Sequence, residues 1–248
     1  MKILIYRDYG CADVSSLYQE LTSYFAPKQT EVGFTDAAEI KAGILDKKIK
    51  AFFLGGGAGN PFMQKLKGEG NDRIRAYVAN GGTYFGICAG AYYACRNVVF
   101  EADIPELRIE NQCGLNLAEG RAVGTLYKEF QLLPYSLTAF SARVVHVCFD
   151  DGEVYPTLYH GGPYFDQTDG VVLARYQEAE GKAALIEKRF GEGKVILSGV
   201  HFEDGEQTLR RNIHALRCDR VPAEQNADQM RTVELRRKAL FDRVMHLI

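Results

Sequence analysis

Three apolar runs punctuate the first third of the chain: Ile3–Tyr6, Ala51–Leu54 and Thr83–Ile87. Each is too short for a helix and stops at or just before a glycine or polar turn, the pattern of a strand buried on both faces. Helical spacing fills the gaps between them. Apolar or aromatic residues at positions 14, 17, 18, 21, 24 and 25 define Val14–Phe25, and Ala37–Leu45 and Asp72–Ala79 follow the same period. Strands that alternate with helices connect through parallel crossovers, so this part of the chain is confined to an α/β doubly wound sheet.

The second half changes character. Ala142–Phe149, Val171–Tyr176, Ala183–Phe190 and Lys194–Ser198 are strand-like and joined by Gly, Asp and Glu turns, which predicts an antiparallel extension of the same sheet. Residues Glu224–Ile248 place apolar side chains at 230, 233, 240, 244 and 247 opposite Arg236, Arg237, Lys238 and Arg243, the pattern of an amphipathic C-terminal helix with a solvated basic face. With no linker, repeat or low-complexity stretch, a single domain over 1–248 is expected.

A composition of 46% hydrophobic and 25% charged residues is that of a globular chain able to build its own core. The formal charge of −2 gives no general attraction to polyanions, so neither nucleic acid nor a membrane surface is an expected partner. The N-terminal apolar run ends at Arg7-Asp8, too short for a signal-peptide core or a membrane span, which predicts a cytoplasmic location. Cys11, Cys88, Cys95, Cys113, Cys148 and Cys218 include no CxxC pair; most read as small buried apolar residues, and no metal or other cofactor is expected.

One cysteine has a distinctive setting. Tyr84-Phe85-Gly86-Ile87-Cys88-Ala89-Gly90 runs an apolar strand into G-x-C-x-G and then a helix-compatible segment, the nucleophile-elbow pattern with Cys in place of Ser. Gly86 and Gly90 permit the tight turn, and the central side chain is projected above the sheet near a helix N-terminus that favours a thiolate. The competing reading of this motif is a glycine-flanked buried cysteine. A nucleophile also needs a base and an orienting acceptor. Lys194–Val200 is a strand pattern that delivers His201-Phe202-Glu203, and residues i and i+2 of extended chain point the same way, so Glu203 can support the His201 imidazole.

His146 reads as a core histidine in mid-strand, and His214 and His246 as surface or packing residues of the C-terminal helical region. His160 is the rival base, set in the aromatic-flanked turn Tyr159-His160-Gly161-Gly162-Pro163-Tyr164-Phe165. That loop, with Tyr92 and Tyr93, is expected to wall the site and select substrate. The run Gly55-Gly56-Gly57-Ala58-Gly59 after a strand offers backbone N–H groups for an oxyanion, with the N–H of Ala89 as a second donor. It lacks the ending of a phosphate-binding Walker loop.

Taken together, GGGAGNPF at 55–62, CAGAYYA at 88–94, YHGGPYF at 159–165 and SGVHFE at 198–203 resemble the class I glutamine amidotransferase-like superfamily, and within it the N-terminal domain of biotin–protein ligases. The resemblance covers about residues 1–205, with 206–248 as a helical extension. It implies a flavodoxin-like sheet, a Cys88–His201–Glu203 triad, and Ala89 with Gly56 or Gly57 as oxyanion donors. The family's ligases also carry a biotin-activating domain, whose GRGRxxR-type loop is not found in this sequence, which has no Trp; biotinylation by this chain alone is not implied.

Two functions are compatible with these residues. One is a Cys-dependent hydrolase or amidotransferase acting on a small amide. The other is a catalytically silent module that uses the pocket between Gly56, Cys88 and His160 to bind a ligand, a protein partner or a second copy of the chain.

Overall fold

The computed structural model describes residues 1–110, 114–213 and 220–248, so Cys113, His214 and Cys218 lie outside the described residues. Among the described residues, thirteen strands form one sheet. They are β1 (Lys2–Tyr6), β2 (Glu31–Thr35), β3 (Ile49–Leu54), β4 (Thr83–Ile87), β5 (Cys95–Phe100), β6 (Ile109–Glu110) and β7 (Ala118–Gly124), followed by β8 (Ala142–Phe149), β9 (Val154–His160), β10 (Tyr164–Asp166), β11 (Val171–Tyr176), β12 (Ala183–Phe190) and β13 (Gly193–Ser198). The helices are α1 (Ser15–Phe25), α2 (Ala37–Lys41), α3 (Gly59–Leu66), α4 (Glu69–Ala79), α5 (Ala89–Ala94), α6 (Glu206–Ile213) and α7 (Arg220–Met245).

The parallel half runs β2-β1-β3-β4-β13, the flavodoxin-like order. β13 is parallel to β4 on one side and antiparallel to β12 on the other, and the extension branches from β12 through β10-β7-β5-β6 and through β11-β8-β9. This is the α/β class the sequence implied, with its antiparallel extension and C-terminal helix.

Alternation along the central strands divides the core into two faces. Ile3, Ile5, Phe53 and Phe85 pack with Leu17 and Leu21 of α1 and Leu240, Phe241 and Val244 of α7. On the opposite face, Leu4, Tyr6, Phe52 and Tyr84 meet Ile40 of α2, Phe62 and Leu66 of α3, and Ile74 of α4. Each such side chain contributes on the order of 2 kcal/mol on burial, so the two layers clamp the sheet from both sides.

Three local expectations are corrected. Helix α2 ends at Lys41 rather than Leu45 because Gly43 (φ 92°) takes the left-handed position and Ile44 N–H donates back to Glu39, closing a Schellman turn. His146 is not a core residue: its ring is half-exposed on β8, with Nδ1 2.7 Å from Glu178. Arg237 is not on a solvated face either. It is fully buried, and its guanidinium donates to the Phe202 carbonyl (2.8 Å), Glu20 (2.7 Å) and Glu234 (2.6 Å). No helix among the described residues is long and apolar enough to cross a membrane.

Candidate functional site

Cys88 stands at the turn from β4 into α5, with φ 49° and ψ −107°. A non-glycine residue rarely adopts this backbone conformation, which is the strained geometry of an elbow. The flanking glycines are required by contact. A Cβ on Gly90 would lie 1.9 Å from the Leu54 carbonyl oxygen, and one on Gly86 would lie 2.6 Å from that of Gly90. The Cys88 N–H donates to the Ser198 carbonyl of β13, which fastens the elbow to the strand that leads to His201.

The His201–Glu203 pair forms where the sequence placed it, by a different local route. β13 ends at Ser198, His201 makes an isolated bridge to Leu158, and the chain then turns, with Asp204 N–H donating to the His201 carbonyl. His201 Nδ1 is 2.9 Å from Glu203 Oε1. The intervening Phe202 is pinned between Phe85 and Phe241, with ring centroids 5.5 and 5.8 Å away, so the turn cannot rotate without leaving the core. Cys88 and His201 line the same cavity, and the sulfur lies near enough to bear on the charge of the imidazole. Burial alone would disfavour the imidazolium. The Glu203 carboxylate and the Cys88 sulfur beside it outweigh that cost and hold the His201 pKa well above the ordinary imidazole value.

Asp204 is a member of this group that the strand argument missed, since an i+3 residue is brought back only by the turn. Its Oδ2 is 3.7 Å from His201 Nδ1, and its Oδ1 accepts from Ser16 Oγ at 2.6 Å. Burial, with the Glu203 charge adding to it, pushes the Asp204 carboxyl up to about 6. Although no metal was expected, His201, Glu203 and Asp204 each offer a ligand atom within 4.8 Å of the others, a grouping that could hold a cation.

These residues open onto a cavity of about 750 Å³. Gly56, Gly57, Cys88, Ala89, Tyr92, Tyr93, His160, Gly161, His201, Glu203 and Asp204 all line it. Gly56 lies against the imidazole, a Cβ there being 3.0 Å from His201 Cε1, and Gly57 needs its freedom because a Cβ would lie 2.2 Å from the Gly10 carbonyl. His160 is not in the base position. Its backbone carbonyl accepts from Cys88 Sγ at 3.5 Å, while its ring Nε2 lies 2.9 Å from the Ser136 carbonyl oxygen.

Part of the expected aromatic wall is absent. Tyr159 belongs to the core, its ring centroid 4.6 Å from that of Phe130, with its hydroxyl donating to Gly162 and accepting from Leu126 N–H. Period-two alternation on β9 sends Tyr159 inward and leaves His160 at the cavity. Gly162 is a packing residue, since a Cβ there would lie 2.0 Å from the Gly199 carbonyl. The wall is completed instead by Val98, Phe100, Ile109, Tyr135 and Leu137. These come from segments with no periodic signal, and only the folded sheet edge brings them together.

The layered sheet and cysteine elbow define the class. A crystal structure of a glutamine amidotransferase from Thermotoga maritima superposes with a TM-score of 0.56 at 14% identity, covering 97% of this chain and 94% of that one, which establishes a glutamine amidotransferase-like fold. The family model for the N-terminal region of biotin–protein ligases matches residues 1–248. The chain belongs to that family. A protein of Chlamydia muridarum (strain MoPn / Nigg) is 32% identical over 213 residues, 82% of this chain and 80% of that protein. The biotin–protein ligase of Schizosaccharomyces pombe is 27% identical over 215 residues, which span 82% of this chain and 33% of that enzyme.

Proposed function

We propose that this protein is a cysteine-dependent amide hydrolase or amidotransferase, with Cys88 as nucleophile, His201 as acid and base, and Glu203 as the orienting carboxylate. The observation that carries the reading is that Cys88, on an elbow whose backbone is strained to present the sulfur, lines one cavity with the hydrogen-bonded pair His201–Glu203.

In this reaction Cys88 gives its thiol proton to His201 and the sulfur attacks the amide carbon, forming a C–S bond while the carbonyl electron pair moves to oxygen. The N–H groups of Ala89 and of Gly56 or Gly57 would receive that oxyanion. Protonated His201 then gives its proton to the nitrogen, the C–N bond breaks, and the amine leaves behind a thioester. Water, deprotonated by His201, or an acceptor amine releases the acyl group and returns the electron pair to sulfur. Glu203 stabilises the imidazolium in both halves.

The test is a panel of simple amides, glutamine included, with the acylated protein trapped by acid quench and weighed intact. Formation of an acyl adduct on Cys88 in the wild-type protein, and its loss in Cys88→Ala, supports the reading. Ligand binding without acylation by any amide would make the pocket a silent binding module.

A further inference from the structure

The cavity is divided chemically, and Cys88 sits at the division. On one side its sulfur touches the His160 carbonyl, and from the His160 ring an unbroken aromatic series runs through Tyr135 and Phe100 to Tyr92, with centroids 5.6, 5.4 and 5.6 Å apart. Leu137, 85% exposed, extends this apolar wall to the rim. On the other side stands His201, with Glu203 and Asp204 behind it, Asp204 held by Ser16 of α1, and Asp13, just before α1, also lines the cavity.

Among the described lining residues the acidic side holds three carboxyl groups against one cation, the His201 imidazolium. Glu203 is 6% exposed and lines the cavity, and its Oε2 has no hydrogen-bond partner. Arg237, the buried cation behind this turn, is already matched by Glu20 and Glu234. Arg211 reaches the Thr208 hydroxyl at 3.4 Å but does not itself line the cavity. Among the described lining residues, none is Lys or Arg, whereas Asp13, Glu203 and Asp204 are acidic. A carboxylate entering this space would lose its hydration and meet like charge, whereas an ammonium would be attracted.

We infer that the site takes an amide joining an aromatic or branched apolar acyl group to a neutral or cationic amine, and rejects amides that carry a carboxylate, glutamine among them. The acyl group lies along the Tyr92–Phe100–Tyr135 wall, and the amine faces His201 and Asp204, where the departing nitrogen is protonated and leaves as an ammonium. This inference rests on the thiol chemistry proposed above.

Three 3-phenylpropanoyl amides separate the possibilities: those of 1,2-diaminoethane (cationic), propylamine (neutral) and β-alanine (anionic), with glutamine as a fourth ligand. Calorimetric binding to Cys88→Ala reads the preference without turnover. The expected order is cationic and neutral ahead of anionic by at least about ten-fold in Kd, with glutamine weakest, and the cationic-to-anionic ratio shrinking in Asp204→Asn. Equal or tighter binding of the anionic amide or of glutamine, or no binding of any of the three amides at millimolar concentration, overturns the substrate class. The wild-type protein distinguishes the two failures. A glutamyl adduct on Cys88 would keep the thiol chemistry and sink only the substrate class, whereas the expected binding order without any acylation would sink the thiol chemistry and keep the preference.

Discussion

At the scale of single residues, the four described free thiols stand in different settings. Burial pushes the Cys95 thiol up to about 12 and raises that of Cys11 as well, whereas Cys88 faces the cavity beside an imidazole whose protonated form is favoured. Cys88 is therefore expected to be the first cysteine carboxamidomethylated near neutral pH, as followed by peptide mapping over time; uniform labelling would contradict the assignment. Glu203→Gln preserves an oxygen for His201 Nδ1 while removing the charge. It should lower the imidazole pKa, visible in the NMR titration of that ring, and slow the alkylation of Cys88 at pH 7. Asp204 gives a stability prediction. Its folded pKa of about 6 lies above the ordinary 3.8, so the native chain binds that proton more tightly than the unfolded one, and stability falls as pH rises between those values. Asp204→Asn removes this titration, so its Tm should gain on wild type across that window and hold the gain above pH 6. A Tm difference that is flat from pH 4 to 7 would count against it. Cys88, His201 and Glu203 were legible because their residue types and flanking glycines leave few alternatives. Asp204 was not, because the pattern of extended chain points it away and only the turn after His201 returns it.

At the scale of elements, the elbow depends on backbone approaching backbone. Gly90→Ala would drive a methyl against the Leu54 carbonyl, which belongs to β3 and cannot retreat like a flexible side chain. A loss of at least ~2 kcal/mol in urea unfolding is expected, against a smaller loss for Gly43→Ala, where nothing lies within 4 Å and only the positive φ is strained. The central strands β1, β3 and β4 could be read from sequence because both of their faces are buried, which leaves a continuous apolar signature. β2 and β7 could not. β2 is an edge strand with only Thr35 fully buried and a glycine at its centre, and β7 alternates buried and exposed positions around Gly120. The cavity wall comes from β5, β6 and the segment after β7, which carry no periodic signal either, so the sequence points to Tyr159 for its aromatic half instead of Phe100 and Tyr135.

At the scale of the whole molecule, α7 is coupled to the site through Arg237, which binds the carbonyl of Phe202, the residue between His201 and Glu203. Arg237→Met should cost on the order of 2 kcal/mol in chemical unfolding, because Glu234 would lose its buried cation and Glu20 would keep only Lys238, at 3.6 Å. Adding Glu20→Gln and Glu234→Gln should recover much of that loss; no recovery would mean that the charges do not act as a set. The packing of α7 on the sheet could be anticipated from its apolar spacing, whereas the burial of an arginine within a run of basic residues could not, since charge pattern alone cannot show which cation meets a carboxylate from another helix.

The position of β13 between β4 and β12 bears on how the protein is made. Cys88 leaves the ribosome with β4, long before the strand that must slot in beside it has been synthesised. During that interval the sulfur is without His201, and the edge of β4 that β13 will cover is open to other strands. On the proposed chemistry the Cys88 thiol would be activated only once β13 has paired with β4 and brought His201 to the cavity. A chain arrested before β13 would bear the elbow and its glycines but lack His201 and Glu203, the two groups that the proposed reaction needs beside the sulfur.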